Sequence, residues 1–246
     1  MPFASKGTQC VFVAVACMVF SHTAFGQSRA PSSEDATRAQ LLEMGKPGEA
    51  IELARERVLE ILQTRNSCSA WFGESARDPA ATFGSLQFAL DKNGPREVIG
   101  LINGAGVLLF KHPYSGSTVT RAGLHAVITI NANGPFFVRD ALVMKQELPG
   151  SAPRAAGWRS LNVASYEGRS MGAQVTTLLH ELGHVIGRLP DDSDEMSGQS
   201  GRNTLQVLRY CRGEVKEAER RARREEKEAS AEKQSSANRQ GSSGAN

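Results

Sequence analysis

The residues best equipped for chemistry lie in one short segment, Thr177-Leu178-Leu179-His180-Glu181-Leu182-Gly183-His184-Val185-Ile186. His180 and His184 are four apart, so on a helix they project from one face, one turn apart. Two imidazoles in that relation can hold one Zn²⁺ at about 2.0–2.1 Å. Glu181 neighbours the first of them and can serve a metal-activated water as general base without ligating the metal. No proline interrupts the segment, and Glu181 is the only charge between Gln174 and Arg188. Two of the five histidines fall in this one turn; the others are His22, His112 and His125. A merely structural helix is the weaker reading, because burying two histidines and a glutamate without partners is costly.

The run from His180 to His184 resembles the HExxH helix of the zincin metallopeptidases. Gly187 adds to the likeness, because the metzincin branch reads HExxHxxGxx followed by His or Asp. The resemblance implies a zinc-dependent peptidase, with Zn²⁺ as cofactor, Glu181 as catalytic base and a protein or peptide as substrate. In that branch the glycine lets the chain turn back and deliver a third ligand. Here Pro190 stands at that position, followed by Asp191 and Asp192. Those two aspartates are the expected third metal ligands beside His180 and His184, with Asp194 behind them. Another zincin branch draws its third ligand from a later glutamate, and Glu195, Glu214 and Glu217 are available. Metzincins also carry a methionine turn, and Met196 is the only methionine after the motif.

The same resemblance implies a twisted sheet ahead of the active-site helix, with an edge strand that pairs with extended substrate. Leu124–Ile130 is the expected edge, with His125 on one face. Tyr114, Tyr166 and Tyr210 are candidates to stabilise an oxyanion. The Leu189-Pro190-Asp191-Asp192 turn, the Asn203-Thr204 pair and Cys211 resemble secreted bacterial-type proteins of otherwise unassigned family. The alternative function is a non-catalytic secreted module that zinc stabilises for binding a partner.

The elements around the motif follow from periodicity. Asp35–Met44 reads as a short helix ended by Gly45-Lys46-Pro47-Gly48. Glu49–Arg65 follows as a backing helix, with Ile51, Ala54, Val58, Ile61 and Leu62 at helical spacing. The period then changes: Leu86, Phe88 and Leu90 alternate with polar or small residues as a half-buried strand. Lys92-Asn93-Gly94-Pro95 is a turn, and Val98–Ile102, Val107–Phe110 and Leu124–Ile130 are further strands. Gly-bearing turns between them favour antiparallel neighbours. Phe136–Val143 fits a strand or a helix start. Pro149–Met171 reads as a surface loop, Ala173–Ile186 as the HExxH helix and Asn203–Arg212 as a last amphipathic helix. The expected fold class is therefore α+β and zincin-like: a mixed or antiparallel twisted sheet packed on a backing helix and the HExxH helix. A charged C-terminal helix or tail completes it.

The ends of the chain carry different information. Lys6 is the only charge in the first 28 residues, and an apolar run, Cys10–Phe20, leads to the small-x-small site Ala24-Phe25-Gly26. This reads as a signal peptide over residues 1–26, cleaved after Gly26, for a secreted or periplasmic protein. The run is shorter than the roughly 20 residues a membrane span needs, so no stable membrane insertion is expected after cleavage. A lipoprotein cysteine at Cys17 does not fit, because apolar residues continue past it. Residues 27–34 are a flexible lead, 35–215 a single domain and 216–246 a charged, polar low-complexity tail. Cys10 and Cys17 leave with the signal, so Cys68 and Cys211 can form one disulfide in an oxidising compartment. The 29 basic and 26 acidic residues leave a net charge of +3, too small an excess for a nucleic-acid partner. From Arg212 on, nine basic residues face seven acidic ones, a nearly balanced and solvated run. The composition specifies no oligomeric state.

Overall fold

Helix ends in this chain are set by a few short capping signals. The computed structural model describes residues 33–94, 97–102, 105–110, 114–139, 141–144, 158–192 and 198–242. The signal segment, His112, Asp194, Glu195 and Met196 lie outside the described residues. Helix α1 spans Ser33–Glu43 and α2 spans Lys46–Gln63. The Gly45–Gly48 stretch expected as a terminator also starts the next helix. Gly45 caps α2 at φ 65° and Pro47 lies in its first turn, where a missing N–H costs nothing. Two helices escaped the periodicity reading because each is under two turns long. In α3 (Ser67–Gly73), Asn66 and Ser69 form a reciprocal capping box. In α4 (Pro79–Gly84), the Asp78 side chain accepts from the Ala81 amide.

The strands form two sheets. In the first, β1 (Gln87–Asp91), β5 (Val127–Asn131) and β4 (Gly116–Ser117) lie in the order β1-β5-β4. β1 pairs with β5 in parallel, in register from Gln87↔Val127 to Asp91↔Asn131, whereas β4 pairs with β5 antiparallel. The expectation of antiparallel neighbours is thus corrected for β1 and β5. The chain between them leaves the sheet, makes other strands and returns as a crossover. The second sheet, in the order β2-β3-β6-β7, contains β2 (Glu97–Ile102), β3 (Ala105–Phe110), β6 (Ala141–Met144) and β7 (Trp158–Ser160). β2 and β3 are an antiparallel hairpin, and β3 and β6 are parallel. Phe136–Val143 therefore divides into a turn and the start of β6.

Leu124–Ile130 is not the edge. Gly123 and His125 both have positive φ, 71° and 61°, so the chain turns there. The strand begins at Val127 and runs between two partners. His125 belongs to the turn and is exposed. The edge next to the HExxH helix is instead the two-residue β4.

Helix α5 (Met171–Val185) carries the motif and is buried along its whole length. A helix covered on every side belongs at the centre of the fold. It packs against α2, α6 and β4. Its Val175, Leu178, Leu179 and Leu182 join Ile51, Val58, Phe72, Phe88, Ile128 and Phe136 in one core. The result is a mixed α+β fold, with a small three-stranded sheet packed against several helices.

Helix α6 runs from Gln199 to Ser242. Val207, Leu208, Val215 and Ala218 are buried on it, so its packed face extends beyond the amphipathic stretch read from sequence. Past that point its charges find α2. Arg57 makes a two-pronged contact with Glu225 at 2.9 and 2.8 Å, and Arg221 reaches Glu60 at 3.0 Å. From Glu226 to Ser236 every residue is exposed.

Cys68 of α3 and Cys211 of α6 are bonded, with a sequence separation of 143 residues. Both are fully buried, and Trp71 stacks on Tyr210 beside them. A bridge across so long a loop removes much freedom from the unfolded chain. Replacing both cysteines by alanine should lower unfolding stability by about 2–5 kcal/mol, read from denaturant titration.

Candidate metal centre

The site begins with the helix cap. The Ser170 side chain accepts from the Ala173 amide, and α5 then holds His180 and His184 one turn apart. Their rings meet edge to face, with centroids 4.7 Å apart. At the far end the helix carbonyls are capped from outside the helix. The Arg121 and Gly123 amides donate to the carbonyls of His184 and Val185 at 2.8 and 3.2 Å. The 118–125 turn thus satisfies groups that a buried helix end would otherwise leave open.

The chain then reverses. Gly187 adopts φ 70°, a conformation that favours glycine. The Arg188 and Leu189 amides both return to the Gly183 carbonyl, at 2.8 and 3.0 Å. Leu189 is buried directly over Gly183, where an added Cβ would meet Leu189 Cδ1 at 2.6 Å. Pro190 occupies the expected ligand position without a donor atom. Two residues later, Asp192 arrives at the histidines.

Three ligand atoms converge there. His180 Nε2 lies 2.9 Å from both Asp192 Oδ2 and His184 Nε2, and His184 Nε2 lies 3.5 Å from Asp192 Oδ2. Among the described residues this is the group of side chains that could hold a metal ion. Tetrahedral zinc with bonds of about 2.0–2.1 Å sets its ligands about 3.3 Å apart, close to these separations. Imidazole nitrogen with carboxylate oxygen is a donor set that zinc accepts.

Proton accounting points the same way. The Thr204 hydroxyl donates to the Ser200 carbonyl at 2.9 Å, so toward His180 Nδ1, 3.0 Å away, it can only accept. His180 therefore carries a proton on Nδ1. In the neutral ring Nε2 is then a lone pair facing a carboxylate and a second imidazole. A metal ion among the three atoms would meet that lone pair, the carboxylate and the second imidazole together.

Glu181 lies at 3% exposure, and its Oε2 has no hydrogen-bond partner. Burial pushes its carboxyl up to about 8, and the Asp192 charge adds in the same direction. Burial would also raise Asp192, but its contacts with the His180 and His184 imidazoles outweigh it and hold this carboxyl far below the usual range. Gly116 of β4 lets the edge strand come close to Glu181. A Cβ there would lie 3.3 Å from Glu181 Oε1 and 3.1 Å from Thr177 Cγ2. Ser115 and Thr177 join their hydroxyls at 2.7 Å beside it.

His180, Glu181 and His184 open into a cleft of about 760 Å³. Ser115–Thr118, Leu161–Ala164 and the first turns of α6 also line it. The remaining candidates fall in different places. Asp191 lines the cleft but accepts from the Thr120 hydroxyl and is not one of the three converging ligands. Glu217 is exposed and pairs with Arg220 and Arg224. Glu214 lies about 15 Å beyond Thr204 along α6, at ~1.5 Å per residue. Tyr114 lines the cleft, but its hydroxyl donates to Asp91. Tyr166 and Tyr210 do not line it. Asn203 and Thr204 stand out in the sequence only as a pair, without a role. Both contact the ligands, and no local periodicity marks a residue 24 positions from its partner.

Gly183→Ala tests the return turn. The new methyl must displace Leu189, so any affinity of the three side chains for a metal ion should fall together with ~1–3 kcal/mol of stability, read by metal titration and melting. Compared with known proteins, the chain matches no protein-family model, no curated protein and no solved structure.

Proposed function

We propose that this chain is an exported zinc-dependent peptidase. The observation that carries the reading is the convergence of His180, His184 and Asp192 beside the unpartnered Glu181, at the floor of an open cleft. Three protein ligands with an open side are the pattern of catalytic zinc, whereas structural zinc has four protein ligands and no opening. That contrast favours catalysis over a zinc-stabilised binding module. Zinc bound here would act as a Lewis acid, polarising a carbonyl and bringing the pKa of its water to about 7.

The protein's own groups supply the rest. Glu181 lines the cleft beside the ligand cluster, and its carboxylate would take a proton from a water there and pass it to the leaving amine. A nearby cation would draw the Glu181 carboxyl down from its raised value into the range of a useful base. The outer edge of β4 has no strand partner among the described residues. An extended peptide can add to it by main-chain hydrogen bonds, which would lay a scissile bond alongside Glu181.

Export rests on the N-terminal segment and on the Cys68–Cys211 bridge, a bond that persists in oxidising compartments. Among the described residues no helix is long and apolar enough to cross a membrane.

Purified protein should contain stoichiometric zinc and cleave an unfolded protein substrate. Glu181→Gln should keep the zinc and lose about 10²–10⁴-fold in turnover. Full zinc loading with no hydrolysis by the wild type would overturn the peptidase reading.

A further inference from the structure

We infer that Asn203 and Thr204, on the first turns of α6, are positioning residues that set the tautomer of His180 and the ligating oxygen of Asp192. The inference rests on the metal-site reading above and extends it to a helix outside the motif.

Thr204 acts on His180. Its one hydroxyl hydrogen goes to the Ser200 carbonyl, a common arrangement for threonine in a helix. What is particular here is the direction of its lone pair, toward His180 Nδ1 at 3.0 Å. Nδ1 must carry the proton, so Nε2 is left to bind. An outer partner of this kind fixes ring orientation and raises ligand basicity. His184 has no such support, since its Nδ1 is buried without a partner. The two histidines are therefore unequal, and α6 controls the first.

Asn203 acts on Asp192. It is 1% exposed, and its Oδ1 is held by Gln199 Nε2 at 2.8 Å. That contact settles which end is the amide nitrogen. Nδ2 then donates to the Pro190 carbonyl at 2.9 Å and to Asp192 Oδ1 at 2.5 Å. One amide thus clamps the turn and occupies one oxygen of the carboxylate. Asp192 Oδ2 is left facing the two imidazoles. The pair explains how a ligand two residues beyond the expected position is still held in place. The clamp works from α6, so the extra loop length need not be rigid by itself.

Thr204→Val keeps the shape and removes the acceptor, while Thr204→Ser restores it. Zinc affinity is measured by competition with a chromogenic chelator, beside the melting temperature of each metal-free protein. Thr204→Val should weaken zinc about 10–100-fold, Thr204→Ser should bind close to wild type, and the metal-free melting temperatures should agree. The visible spectrum of the cobalt(II) form should change for Thr204→Val and be restored in Thr204→Ser. If Thr204→Val does not fold, Thr204→Ala takes its place in the same comparison. Asn203→Ala should weaken zinc as well, but it removes two buried donors and also lowers the metal-free melting temperature, so Thr204 decides. Equal zinc affinity in wild type and Thr204→Val overturns the positioning role and leaves the metal site intact. A loss of affinity that only follows a fall in metal-free stability also overturns it. No zinc uptake by the wild type overturns both the metal reading and this one.

Discussion

The constraint on which this structure depends is the burial of two imidazoles and a carboxylate on one helix. α5 is enclosed from Met171 to Val185, with His180, Glu181 and His184 inside that enclosure. Polar groups in such a place need partners or a function. His180 has Thr204 on one nitrogen and the ligand cluster on the other, whereas Glu181 Oε2 and His184 Nδ1 have none. The neighbouring elements are placed so that the polar face opens to the cleft while the apolar face joins the core.

Three elements converge on that face. The return turn after α5 is compact because the helix glycine, Gly183, leaves room for Leu189. Gly187 supplies the reversal at positive φ. β4 closes from the sheet side, and Gly116 permits its approach to Glu181. α6 arrives from a distant part of the sequence and supplies Asn203 and Thr204. Its position is fixed from two directions: the Cys68–Cys211 bridge ties it to α3, and Arg57 and Arg221 tie its charged half to α2. Cys211 lies two helical turns past Thr204, so the bridge restrains the same stretch that supports the ligands.

The charged run that seems featureless in sequence is explained in the same way. Interleaved charges along α6 meet those of α2, and Arg57, nearly buried, donates from Nη2 to both carboxylate oxygens of Glu225. From Glu226 to Ser236 the helix carries only exposed side chains.

Much was legible in the residues themselves. The HExxH segment had to be a buried helix, because its apolar positions and single charge allow little else. With Cys10 and Cys17 assigned to a signal segment, Cys68 and Cys211 were left as the expected pair. α2 and α5 were readable because long amphipathic or apolar stretches repeat at helical spacing. α3 and α4 were too short for that signal, and the strand read at Leu124–Ile130 is internal because β1 and β4 pair on either side of it. Strand order, the parallel β1·β5 pair and the nearness of β4 to Glu181 depend on contacts between distant segments, to which periodicity is blind. The third ligand divides the two kinds of knowledge most clearly. The resemblance pointed to Asp191 or Asp192, with Asp194 and the later glutamates behind them, and did not choose between the first two. The choice of Asp192 follows from a turn folded over Gly183 and an amide on α6, and both arise only when the chain is packed.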